Sequence, residues 1–289
     1  MPVPRLFESP SDQRERWSHV LACLIALTGP ETRPALVSEL VGEDLPGVEE
    51  AQTREAVSVD GSVVDIVIRD RGKRWIVAIQ TTLGYDVDSQ ARLESALGGL
   101  AGQAERVIGL LIAPDRKPNA SIGGAEGNGH DVRHKSWLRV RDWVQERPER
   151  GGSTGVDQAL LREAEYFFTP RVAELYRLEE LMPTVGADLR ETLSAIYFDF
   201  NDLSIAPLMT NPATGVEETT IVFPRTGDRG VEVTVDKGVI TVGVASDGLG
   251  GGFTTDGGWS RLVVGDDAAW TSNRSEALTA ATGVLPRPR

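Results

Sequence analysis

Asp65 sits inside an otherwise apolar run, Val63-Val64-Asp65-Ile66-Val67-Ile68, and Gln80 closes a second one, Trp75-Ile76-Val77-Ala78-Ile79-Gln80. A carboxylate within an apolar strand is costly unless it is paired or binds a metal. Pairing would fall to Arg54, Arg69 or Arg74 on neighbouring strands. A second group of interest is Arg133, Lys135, Arg139 and Arg141 around Trp137, a basic cluster of the kind that contacts phosphates, though Asp142, Glu146 and Glu149 dilute it. His130 and His134 have the i,i+4 spacing of a helical zinc pair, but they follow a Gly-rich loop and no cysteine supports them. Gly248 to Gly252 is glycine-rich like a phosphate loop, yet no helix opening with Lys-Ser/Thr follows, so it reads as a β-hairpin loop. There is no Ser-His-Asp or Cys-His signature.

The elements that must position these residues can be read from periodicity. Ser11 to Leu27 predicts a helix with Trp17, Val20, Leu21, Leu24 and Ile25 on one face. A second helix follows over Glu31 to Val41. Glu55 to Val59 starts a strand, and Asp60-Gly61 is a hairpin turn into the Asp65 run. The polar turn Arg69 to Arg74 leads to the Gln80 strand. Asp86 to Leu100 reads as a helix with Val87, Ala91, Glu94 and Leu97 roughly in line. Arg106 to Ala113 is nearly all apolar, as a central strand covered on both faces would be, the position that parallel strands occupy. Pro114 to His130 is a loop, Ser136 to Gln145 a short helix, and Asp157 to Leu181 a long helical stretch that Pro170 should kink or split. Beyond it come short β-runs at Thr219 to Phe223, Val231 to Val235, Val239 to Val244 and Arg261 to Val264, then a helix over Ser275 to Ala281. The change in composition places a domain boundary near residue 185, giving segments 1–185 and 186–289.

Composition sets further limits. The 289 residues are 40% hydrophobic and 25% charged, ordinary for a globular protein. No apolar run is long enough to cross a membrane, and the N-terminus lacks a signal-peptide layout, so no membrane partner is expected. The lone cysteine, Cys23, on the apolar side of the first helix, suits packing and a reducing cytoplasm. A net charge of −13 disfavours coating of nucleic acid by a broad basic surface. The first half is nearly balanced, and the second is the acidic part.

The order of helix, β-hairpin with an inner acid, second strand, helix and buried strand resembles the PD-(D/E)XK nuclease superfamily over roughly residues 5–180. Asp65 matches the family's strand Asp. Where the family has acid-x-Lys, this chain has Ala78-Ile79-Gln80. Leu111-Ile112-Ala113-Pro114-Asp115 and Ser136-Trp137-Leu138 also look like family motifs. The resemblance implies a restriction-endonuclease-like α/β core, a central mixed sheet flanked by helices, with a C-terminal β-rich α+β domain outside it. It also implies Mg²⁺ or Mn²⁺ held by acids beside a scissile phosphate. Glu94, on the following helix, would replace the missing acid, so that Asp65 and Glu94 hold the metal while Gln80 positions water. Glu15, in Arg14-Glu15-Arg16-Trp17-Ser18, stands one step from the family's helix acid, a turn of about 100° on a helix. Glu94 and Glu15 also read as ordinary solvated helix acids. With Ala78 unable to bind metal and Gln80 uncharged, the expectation is a degenerate, non-catalytic protein of this fold. It would bind DNA or a protein partner, in the setting of bacterial antiviral defence or a phage-related system that divergent members of the superfamily occupy. The alternative is an active, divergent Mg²⁺-dependent DNA endonuclease using Asp65, Glu94 and Gln80.

Overall fold

The structure, a computed structural model, describes residues 13–59, 61–84, 87–114, 131–147, 155–181, 187–201, 208–210, 218–223, 230–236, 239–246, 248–265 and 267–284. The chain divides into two compact units, Met1–Tyr176 and Arg177–Arg289.

The first unit is α/β. Its elements run α1 (Gln13–Leu27), α2 (Thr32–Val41), β1 (Gln52–Val59), β2 (Ser62–Arg69), β3 (Trp75–Thr81), α3 (Val87–Leu100), β4 (Arg106–Ala113), β5 (Asp131–Ser136), α4 (Trp137–Glu146) and α5 (Gly155–Leu181). The five strands form one mixed sheet in chain order, antiparallel from β1 to β3 and parallel from β3 to β5. The hairpins follow from tight turns: Gly61, at φ +84°, takes the left-handed backbone that its turn needs. The parallel half follows from the crossover through α3, which returns the chain to the same end of the sheet. Residues of β3 are buried throughout, and β4 is buried from Ile108 onward, as strands covered on both faces must be.

Helices cover the sheet on both sides. Leu93, Ala96, Leu97 and Leu100 of α3 pack with Val67, Ile76, Ala78 and Leu111. The buried stripe of α3 therefore runs through Leu93 and Leu97, with Ala91 exposed and Glu94 half-buried. Gly109 lies under this helix, where an added Cβ would stand 2.7 Å from Leu97 Cδ1. Glu55 of β1, registered with Ile66, meets α1 on the opposite face. The aromatic rings of Trp17, Trp137 and Phe168 join α1, α4 and α5, with the two indoles edge-to-face at 4.8 Å. Ser136 caps α4 by accepting from the Arg139 N–H.

Asp131–Ser136, between the expected loop and the expected short helix, is a strand, β5, because parallel pairing with the apolar β4 overrides its polar composition. Pro170 lies within one continuous α5, so the expected split does not occur. By compactness the first unit ends at Tyr176, inside that helix, while composition changes near residue 185.

The second unit contains α6 (Ala187–Asn201), which sequence reading passed over, then β6 (Leu208–Thr210), β7 (Glu218–Val222), β8 (Val231–Asp236), β9 (Val239–Val244), β10 (Thr254–Asp256), β11 (Trp259–Val264) and α7 (Asp267–Thr282). Its six strands form an antiparallel sheet in the order β10-β11-β9-β8-β7-β6. Asp199 of α6 is buried, and it accepts two hydrogen bonds from Arg274 of α7 at 2.7 Å and one from Trp270 Nε1 at 3.0 Å. A guanidinium fork and an indole N–H supply the hydrogen bonds that burial takes from water.

Candidate functional site

Asp65 reaches from β2 to the end of β3. One oxygen, Oδ2, accepts three hydrogen bonds: from Gln80 Nε2 at 3.0 Å, from the Thr81 main-chain N–H at 2.7 Å and from the Thr81 hydroxyl at 2.7 Å. The reason lies in strand geometry. The β2–β3 ladder runs from Arg69↔Ile76 to Ile66↔Ile79, and Asp65 and Gln80 stand one step beyond it. Thr82 N–H turns towards β4, donating to Ile112 O, so the preceding amide of Thr81 points to the β2 side. The carboxylate takes the place that a β2 carbonyl would fill. On the other side of β2, the ladder to β1 is interrupted between Glu55↔Ile66 and Val57↔Val64, where Ala56 adopts φ +47°.

The same register relocates the replaced family positions. Ala78 pairs with Val67 and Gly109 and is fully buried beneath α3. An acid there would enter an apolar layer rather than a solvent-facing site. Gln80 is the residue next to Asp65. Its side chain is fully buried, and Oε1 has no hydrogen-bond partner among the described residues.

The other expected site residues are placed apart in role. Glu94, half-buried on α3, accepts from Gln90 Nε2 at 2.8 Å, one turn back on its own helix. Glu15 is exposed on α1. Neither falls, with Asp65, into a group of three side chains close enough to share an ion among the described residues. Mg²⁺ asks for oxygen ligands in near-octahedral array at about 2.0–2.1 Å. Asp65 Oδ2 is already committed to three donors, Ala78 contributes nothing, and Gln80 is an uncharged amide. The residues brought together here do not fit a Mg²⁺ or Mn²⁺ centre.

Each member of the basic cluster is matched by an acid. Arg133 holds Asp131 through Nε and Nη2, reaches Glu43 at 2.7 Å and donates to Val41 O. Hydrogen bonds from Arg133 and then Arg106 hold Asp131 below the usual carboxylate range, against the opposing effect of burial. Arg139 pairs with Glu39 at 2.7 Å, Lys135 lies 3.9 Å from the same carboxylate, and Arg141 pairs with Asp142 at 2.6 Å. Between α2 and α4, Lys135 and Arg139 line a polar groove of about 700 Å³, with Ser38, Glu39, Asp142 and Trp143 also in its walls. The groove carries both signs of charge.

The remaining candidates resolve more simply. His134 lies on β5, not on a helix, and burial lowers its pKa; His130 lies outside the described residues. The amides of Gly250 and Gly252 are taken by Glu276 at 2.6 Å and Asn273 at 3.0 Å, so the glycine loop binds its own unit's side chains. Sequence reasoning missed Thr81 as the main partner of Asp65; a Thr-Thr pair closing an apolar strand was the available signal.

The chain is thus an α/β protein with a five-stranded mixed sheet flanked by helices and a second, antiparallel sheet. No helix among the described residues is long and apolar enough to cross a membrane. No family model, curated protein or solved structure matches it.

Proposed function

We propose that this is a non-catalytic protein of restriction-endonuclease-like fold that works by binding, and that its partner is a protein rather than DNA. The observation that carries the reading is the engagement of Asp65 Oδ2 by Gln80 and Thr81. The one acid retained from the nuclease pattern closes the end of a strand pair instead of facing a scissile phosphate. The choice of partner rests on charge. A phosphate-tracking surface needs uncompensated cations. Here Arg133, Lys135, Arg139 and Arg141 each meet a carboxylate, on a chain of net charge −13. A groove with interleaved charges suits the polar rim of a protein surface better than a uniformly anionic strand.

The test is incubation with plasmid and linear DNA in Mg²⁺ or Mn²⁺, beside Asp65→Asn, with DNA retention measured at physiological salt. The expected result is no cleavage by either protein and no retention of duplex or single-stranded DNA. Cleavage that disappears in Asp65→Asn would restore the active-endonuclease reading, with Asp65, Glu94 and Gln80 as its residues. Tight, salt-sensitive retention of DNA without cleavage would make nucleic acid the partner.

A further inference from the structure

On the face of the sheet that carries α1, three side chains of metal-binding type converge: His19 and Cys23 from α1 and Glu55 from β1. One ligand atom from each lies within 4.8 Å of the other two, and no other such trio occurs among the described residues. His19 Nδ1 is 2.7 Å from Glu55 Oε2, and Cys23 Sγ is 3.5 Å from His19 Nε2 and 4.0 Å from Nδ1. We propose that His19, Cys23 and Glu55 form a binding site for a transition-metal dication of the zinc type, with three protein ligands and an open fourth position.

The donor set selects the ion. Thiolate, imidazole and carboxylate together suit zinc or cobalt, whereas calcium and magnesium take oxygen alone. Spacing agrees. Zn–S of about 2.3 Å and Zn–N of about 2.0–2.1 Å at tetrahedral angles separate sulfur from nitrogen by about 3.6 Å. Nδ1, the imidazole nitrogen beside Glu55, lies 4.0 Å from the sulfur, so Cys23 must close by about 0.4 Å to reach that value. Nitrogen and oxygen on one ion lie about 3.4 Å apart, so Glu55 must draw back by less than 1 Å from its hydrogen bond. Its side chain is 40% exposed and can do so. The i,i+4 spacing of His19 and Cys23 puts both on one helical face, a standard frame for two ligands. Glu55 comes from an edge strand whose ladder breaks at the next residue, Ala56. His19 is 32% exposed, which leaves the ion an approach from solvent.

The same trio has the outline of a Cys-His-Glu nucleophile. Burial first and Glu55 second push the Cys23 thiol up to about 11, so without an ion it stays protonated and unreactive. A bound dication displaces that proton and turns the thiol into a ligand.

The chain has one cysteine, which makes the test specific. Tag-free, reduced, metal-stripped full-length protein is titrated with Co²⁺ and followed by absorbance, then with Zn²⁺ in competition. The expected result is one equivalent of Co²⁺ giving visible bands of a four-coordinate ion and a near-ultraviolet thiolate-to-cobalt band, both removed by Zn²⁺. Cys23→Ser should lose the charge-transfer band entirely, and Glu55→Gln and His19→Gln should each weaken binding at least tenfold. Circular dichroism of the three variants, all at partly exposed positions, confirms that they fold. Absence of a thiolate band in the wild-type protein overturns the proposal, as does unchanged affinity in Glu55→Gln.

Discussion

Asp65 and Thr81 are joined twice through one oxygen: Oδ2 accepts both the Thr81 N–H and the Thr81 hydroxyl at 2.7 Å. The acid that stands out in the sequence is therefore part of the sheet's own hydrogen bonding. Removing it leaves the buried Thr81 amide and Gln80 Nε2 without this acceptor. Asp65→Ala should cost about 1–3 kcal/mol, the range for stranding buried donors. Asp65→Asn, which keeps an acceptor oxygen, should cost clearly less. Urea unfolding of the two variants checks the order; equal stability of Asp65→Ala and wild type would remove the structural role.

Gly109 sits where β4 passes under α3. A methyl group there would meet Leu97 Cδ1 at 2.7 Å and Leu93 Cδ2 at 3.4 Å, both in fully buried side chains. Gly109→Ala should therefore destabilise the first unit by about 1–3 kcal/mol through overpacking. Leu97→Ala in the same chain should recover part of that loss, a coupling that thermal unfolding of the double variant measures.

Asp70 and Arg74 close the turn between β2 and β3. Arg74 donates to buried Asp70 from its main-chain N–H at 3.0 Å, from Nε at 2.8 Å and from Nη2 at 2.9 Å. Hydrogen bonds from Arg74 hold the Asp70 carboxyl far below its ordinary range, outweighing burial. The folded value is depressed, so the unfolded chain binds the proton first. The stabilisation is full above the unfolded value of about 3.9 and is lost as pH falls through the folded one. Wild type should lose stability below about pH 4 more steeply than Asp70→Asn, which has no such proton to take up. Denaturation midpoints from pH 7 to pH 2 decide the matter; parallel curves would contradict it.

Asp199 is the buried centre of the α6–α7 contact, bound by Arg274 and Trp270. Asp199→Ala leaves a guanidinium and an indole N–H without this carboxylate in a low-dielectric setting and should cost about 3–5 kcal/mol. Loss of indole burial makes tryptophan fluorescence a direct readout. A change within about 0.5 kcal/mol would mean the pair contributes little beyond packing.

The sequence by itself determined the elements whose signal is local and apolar. The hairpin around Asp65, the buried β4 strand and the Ser136-capped helix all follow from periodicity and turn chemistry, because apolar residues at period 2 or 3.6 have few other arrangements. It also determined that Asp65 needs a partner. Only the tertiary structure decided which one. A partner is fixed by strand register, and register placed Gln80 and Thr81, not Ala78, beside the acid. Strand β5 was illegible because its polar residues pair with β4 across a long connection, a non-local contact that composition does not encode. The balance of the basic cluster was equally hidden, since Glu39 and Glu43 stand about a hundred residues upstream of the arginines and lysine they neutralise. His19 and Cys23 share a helical face that the sequence shows, but Glu55 joins them only when β1 docks against α1. Spacing along a chain fixes which side chains share an element, and packing between elements fixes what they meet.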